Sequence, residues 1–131
     1  MLTRAALFKR YQYRTFQGDS TVCSPNPCPP PAPVPTQINH QGVVSVNGQR
    51  FNGNGRFYFA IIDPGSGNSV WTNDATNIGT ANRPNQPVTI ACANGLYSVG
   101  LGDLSLLNMK PIPVNVFASE NRTLRIWFDD G

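Results

Sequence analysis

The sequence predicts an all-β fold: an antiparallel β-sandwich of about six or seven strands, preceded by an extended N-terminal arm and a polyproline linker. Three observations carry that expectation. Turn signals recur every ten residues or so from Gln37 onward, with short apolar runs between them. Charged residues make up only 13% of the chain, about half the usual share, while Gly and Pro number 12 each. Seven of the eleven residues from Pro25 to Pro35 are proline, which favours extended polyproline and excludes helix or central strand there.

The arm, residues 1–22, comes first. "LTRAALFKRY" has apolar residues at roughly helical spacing, whereas "RYQYRTF" alternates as a strand does. Neither piece is stable alone, because a short helix or a single strand is marginal in water. The arm holds the rings of Phe8, Tyr11, Tyr13 and Phe16, many for a free tail, since disordered segments avoid aromatics. It also holds the excess charge: Arg4, Lys9, Arg10 and Arg14 face only Asp19, within a net charge of +3 for the whole chain. Phe8, Lys9, Arg10, Tyr11, Tyr13, Arg14 and Phe16 are therefore the candidate partner-docking residues. A basic arm can touch nucleic acid, an anionic membrane or an acidic protein groove.

The linker, residues 23–36, follows. Eleven residues of polyproline would span roughly 30 Å at about 3.1 Å per residue, enough to hold a domain off the surface where the arm docks. Cys23 and Cys28 bracket "SPNP" and are the candidate disulfide. A bridge between neighbouring copies or two free thiols are the alternatives. Two thiols without further ligands nearby do not make a metal site.

The domain, residues 37–131, begins with the alternating "INHQGVVSV" and the hairpin signal Asn47-Gly48. "GRFYFAIID" sets Phe57, Phe59 and Ile61 on one face and Tyr58, Ala60 and Ile62 on the other. Both faces are apolar, which predicts a central strand. "DPGSGN" is a turn, and "SVWTN" a short strand. Asp74 to Pro87 forms the longest loop, polar throughout, and long loops are often functional. "PVTIACANGLYSVGLGD" reads as strand, Asn94-Gly95 turn, strand. Pro111 and Pro113 make "LSLLNMKPIPVNVF" irregular. "RTLRIWFDD" sets Leu124, Ile126 and Phe128 opposite Arg125 and Trp127.

No catalytic constellation, metal site or cofactor motif is expected. The single histidine, His40, lies in a strand and reads as a packing residue. Asp129 and Asp130 are adjacent, so strand geometry points them to opposite faces. The glycines of "NGNG" are followed by neither the Lys-Ser/Thr nor the helix of a phosphate cradle. Cys92 reads as a small buried strand residue. Within the domain Arg50, Arg56, Arg83, Lys110, Arg122 and Arg125 balance Asp63, Asp74, Asp103, Glu120, Asp129 and Asp130, which argues against nucleic-acid binding by the domain. No apolar run approaches the ~20 residues of a membrane span, and "MLTRAALFKR" lacks the apolar stretch of about 7–15 residues of a secretory signal. Trp71, Asn73 and Trp127 are the candidate ligand-facing residues, because aromatic rings beside a polar loop suit carbohydrate.

The blocks "INHQGVVSV", "GRFYFAIID", "VWTN", "NGLYSVGLGD", "IPVNVF" and "LRIWFDDG" together resemble a recurrent β domain of phage tail-fibre proteins and bacterial secreted or surface proteins. Its pattern opens with "INYQG" and later shows "NGLFSVxLG". The resemblance covers residues 38–131, and its motifs are turn and core patterns, which specify fold far better than function. It implies a non-enzymatic structural or adhesion component of a virus particle, a phage tail fibre or a capsid decoration protein. In that expectation the arm anchors to other virion proteins, the protein works as a homo-oligomer or multi-copy assembly, and the domain projects outwards, with a host-surface glycan as candidate receptor. The alternative is a secreted or cell-surface bacterial module, carbohydrate-binding in one version.

Overall fold

The computed structural model describes residues 5–12, 37–119 and 121–131, the first of these as backbone. The protein is an all-β fold built from antiparallel sheets. Strands run in the order β1 (Ala5–Gln12), β2 (Ile38–Val43), β3 (Ser45–Val46), β4 (Gln49–Arg50), β5 (Gly53–Ile62), β6 (Ser69–Thr72), β7 (Val88–Cys92), β8 (Leu96–Leu101) and β9 (Asn121–Asp129). A 3-10 turn, Val114–Phe117, precedes β9.

The larger sheet is ordered β1-β9-β5-β6, and β7 pairs with β5 as well. β5 has β9 along one edge; β7 and β6 share the other, opposite residues 53–57 and 60–62 respectively. β2 and β8 form a separate pair, and β3 and β4 a short ribbon. The ribbon turns at Asn47-Gly48, with φ of 52° and 80°, and β7 passes to β8 at Asn94-Gly95, with 52° and 78°. Both are left-handed pairs that asparagine and glycine adopt at low cost. The second turn does not make a regular hairpin. After one bridge, Ala93 to Leu96, β7 joins the larger sheet and β8 joins β2.

The two layers meet over the face predicted from the β5 alternation. Phe57, Phe59 and Ile61 are buried, and Phe128, Ile126 and Leu124 of β9 lie directly opposite them in register. From the other layer Tyr97 packs on Phe57 with ring centroids 4.5 Å apart, and His40 meets Phe59 edge-on at 6.4 Å. Gly55 makes room for this packing: a Cβ there would fall 2.5 Å from the Phe128 ring. The proline-containing segment after β8 is irregular, as expected. Its Met109, Ile112, Val116 and Phe117 are buried in the same core cluster.

β5 is central, and its second face is also buried: Tyr58 is 6% exposed, Ala60 0% and Ile62 3%. No second sheet covers that side among the described residues. On that side the loop between β6 and β7 sets the Arg83 guanidinium 4.1 Å from the Tyr58 ring centroid and the Ala81 carbonyl against Arg125.

The arm's ambiguity resolves toward strand over residues 5–12. β1 lies antiparallel on β9 of the same chain, from Ala5 opposite Phe128 to Gln12 opposite Asn121. The candidate linker and the rest of the arm lie outside the described residues.

Phe59→Ala should cost about 3–5 kcal/mol, the usual range for truncating a fully buried Phe. Chemical denaturation measures this, and a midpoint equal to that of the parent chain would remove Phe59 from the core.

Candidate functional site

Among the described residues a dense polar arrangement centres on Asn73, where the chain leaves β6. Strand pairing of β5 with β6 reaches Ala60 opposite Thr72. One step further the backbone N–H of Asn73 still donates to the Phe59 carbonyl at 3.0 Å. The return bond of that pair is made differently: the Phe59 N–H donates to Asn73 Oδ1, also at 3.0 Å. The side chain thus stands in for a backbone carbonyl. The real carbonyl of Asn73 is freed to accept from the Lys110 N–H at 2.8 Å. Asn73 Nδ2 donates to the carbonyls of Gln86 and Asn108, at 2.8 and 3.0 Å. Every polar atom of this fully buried residue is satisfied.

Beyond Asn73, the loop to Pro87 is braced by its own short side chains. Asp74 Oδ1 accepts from the N–H and the hydroxyl of Thr76, and Oδ2 accepts from the Gln86 N–H at 2.7 Å. Thr76 Oγ1 accepts in turn from the Asn85 N–H, and Asn77 Nδ2 donates to the Arg83 carbonyl. Thr72, buried at the end of β6, donates its hydroxyl to the Thr76 carbonyl at 2.7 Å. These bonds hold the loop against the outer face of β5 and β9. There the Arg83 guanidinium lies 4.1 Å from the Tyr58 ring centroid, and Arg125 donates to the Ala81 carbonyl.

Partial burial would raise the Asp74 pKa, but the hydrogen bonds from Thr76, Gln86 and Asn85 outweigh it, and the net shift is downward from 3.8. Asp103, at the turn after β8, accepts from the N–H and hydroxyl of Ser105, and this lowers its pKa too. With Asp63, which accepts from the Gly65 N–H, these aspartates form three i to i+2 turns.

Two of the three candidate ligand-facing residues are structural. Trp71 is 2% exposed, its ring on the inner face and its indole N–H donating to the Pro111 carbonyl at 2.9 Å. Asn73 is 0% exposed and fully engaged as described. Both are corrections to the carbohydrate-facing assignment. The cause is the same for each: the segment 108–111 folds back over the end of β6. Trp127 is half-buried on the outer face, with the Arg125 guanidinium 5.8 Å from its ring. Of the docking candidates, Phe8, Lys9, Arg10 and Tyr11 lie on β1, opposite Arg125, Leu124, Thr123 and Arg122 of β9. Tyr13, Arg14 and Phe16, like Cys23 and Cys28, lie outside the described residues.

The remaining chemically capable groups are also tied into the scaffold. His40 is buried, with Nε2 2.9 Å from the Tyr97 hydroxyl. Arg122, 8% exposed, donates through Nε to the Val116 carbonyl and pairs with Asp63 at 3.2 Å. Its one signal in the sequence is a basic residue at an inward position of β9. Cys92 is buried, as expected, and burial pushes its thiol pKa up, away from reactivity. Among the described residues no group of three or more His, Cys, Asp or Glu is placed to hold a metal ion, and no helix is long and apolar enough to cross a membrane. Apolar exposure among the described residues is scattered over Val43 and Leu96, paired across β2 and β8, over Ile78 in the β6–β7 loop, and over Leu104, Leu107 and Val114 in the irregular segment.

This arrangement defines a compact antiparallel β module whose polar residues serve mainly to fix its loops. The chain belongs to the family described as a domain of unknown function (DUF8740), whose model matches residues 39–131. No curated protein and no solved structure matches it. The matched range starts within β2 and runs to the last residue, and β1 lies outside it.

The Asp74 carboxylate gives a pH prediction. Its folded pKa is depressed, so its contribution is present above the unfolded value near 3.8 and is lost as pH falls through the folded value. Stability of the parent chain should therefore drop more steeply below about pH 4 than that of Asp74→Asn. Denaturant titrations from pH 5 to pH 2 measure the difference, and parallel curves would show that the loop bonds to Asp74 carry no net weight.

Proposed function

We propose that the protein is a non-enzymatic structural or adhesion component of a virus particle, such as a phage tail fibre or a capsid decoration protein. In this reading residues 1–22 anchor the protein, the proline-rich stretch spaces it and the sandwich projects outwards. The observation that carries it is in the sequence: a basic, aromatic segment is joined to the domain by a proline-rich stretch. Within that segment, residues 5–12 pair with β9 of the same chain and lie outside the range that the family model matches. Support also comes from the polar chemistry of the described domain, which is spent on loop bracing, and from the low charge of a surface suited to dense packing beside other copies.

The proposal is tested by particle incorporation. Full-length protein should co-sediment with particles assembled in its presence, and a chain lacking residues 1–22 should stay in the supernatant while its domain remains folded by circular dichroism. Equal incorporation of the truncated chain would overturn the anchoring role.

A further inference from the structure

We propose that Asn47 is a site of spontaneous deamidation in the folded protein, and that the fold protects the other Asn-Gly pairs of the chain from the same reaction. The inference is independent of the proposed function and rests on where the strands place these pairs.

Four asparagines precede a glycine: Asn47, Asn52, Asn54 and Asn94. At such a pair the backbone nitrogen of the glycine can attack the asparagine Cγ. The N–Cγ bond forms, the Cγ–Nδ2 bond breaks, and ammonia leaves with the proton that the glycine amide gives up. Water then opens the cyclic imide at one of its two carbonyls, leaving aspartate or isoaspartate. Glycine favours the attack because it has no side chain to hinder its nitrogen or restrict its torsions. The reaction therefore needs an accessible asparagine side chain, a glycine N–H held by no partner, and backbone free to rotate between them.

Asn47 and Gly48 meet all three conditions. Both are exposed, and a Cβ on Gly48 would meet nothing within 4 Å. Among the described residues the Gly48 N–H and the Asn47 side chain have no hydrogen-bond partner. The pair turns with φ of 52° and 80° and must open to react. Beyond the turn only Ser45 with Arg50 and Val46 with Gln49 pair across the ribbon, and a two-stranded ribbon is marginal in water. Opening stops at the ribbon's base. There the Phe51 N–H donates to the Val44 carbonyl at 3.0 Å, and the Val44 N–H to the Gly95 carbonyl at 2.9 Å. The tip thus opens locally while the core stays closed.

The other pairs are held. Gly95 is buried, and its N–H donates to the Phe51 carbonyl at 2.8 Å. A Cβ there would lie 2.7 Å from the Val44 carbonyl oxygen. Asn52 Oδ1 accepts from the Asn94 N–H at 2.8 Å, which ties down the side chain of one and the backbone of the other. Gly53, Asn54 and Gly55 belong to β5 and pair with Cys92, Ala91 and Ile90 of β7. Gly55 is also packed against the Phe57 and Phe128 rings. Imide closure at any of these positions requires opening the larger sheet or the base of the ribbon. At Asn47 it requires neither, and it places a new carboxylate at the ribbon tip of a domain whose basic and acidic residues otherwise balance.

Mass spectrometry of the aged full-length chain tests this. One sample is kept folded in mildly alkaline buffer and a second is kept in concentrated guanidinium chloride; both are then cut after arginine. Cleavage at Arg50 and Arg56 puts Asn47 on one peptide, Asn52 and Asn54 on a second, and Asn94 on a third. In the folded sample Asn47 should convert from amide to acid on the order of tenfold faster, or more, than the other three sites. In the denatured sample the four sites should convert at similar rates. Similar rates at all four sites in the folded sample would overturn the proposal. So would an Asn47 peptide that stays unmodified in the folded sample until the denatured control has fully converted.

Discussion

The structure depends on how β5 is covered on both of its faces, and Asn73 is where the two coverings are joined. A strand this apolar cannot leave either side in water. One side is met by β2 and β8. On the other the β6–β7 loop meets Tyr58 through Arg83, and it has no regular ladder to hold it in place. Asn73 solves that problem by finishing the β5 to β6 pairing with its side-chain oxygen. It thereby frees its own carbonyl and amide for the loop end at Gln86 and the segment at Asn108 and Lys110. A buried network of this kind specifies one arrangement only when every member is satisfied, and here it is. The same segment then carries Pro111 to the Trp71 indole, closing the core at that end.

Among the described residues, chemically capable side chains are tied into the scaffold: His40 with Tyr97, Arg122 with Asp63 and the Val116 carbonyl. What stays exposed among the described residues includes the apolar spots around Leu96 and Leu107.

Much of this fold was legible in the sequence because it is written in short-range signals. The Asn-Gly pairs placed two turns, and the double-faced "FYFAII" run placed the central strand. The prolines at 111 and 113 marked the irregular stretch, and the alternation of Leu124, Ile126 and Phe128 marked the inward face of β9. The candidate site was less legible. Trp71 and Asn73 were read by residue type, as rings and amides fit for a ligand. Their burial depends on a segment nearly forty residues away folding over them, and no local pattern encodes that. The "NDAT" run did hold a usable signal, since an aspartate two residues before a threonine favours a side-chain-closed turn. For the arm, alternation and helical spacing overlapped, and only the partner strand β9 decides between them.

Native-state hydrogen exchange at the Phe59 amide tests the central claim most directly, because that N–H is held by a side chain rather than by a neighbouring strand. If Asn73 is the joint between the two coverings, this amide will exchange only through global unfolding, as slowly as the paired amides of β5 and β9, and with the same denaturant dependence. Exchange of Phe59 orders of magnitude faster than those neighbours, with no denaturant dependence, would show that the joint opens locally and that the loop and sandwich are held together by something else.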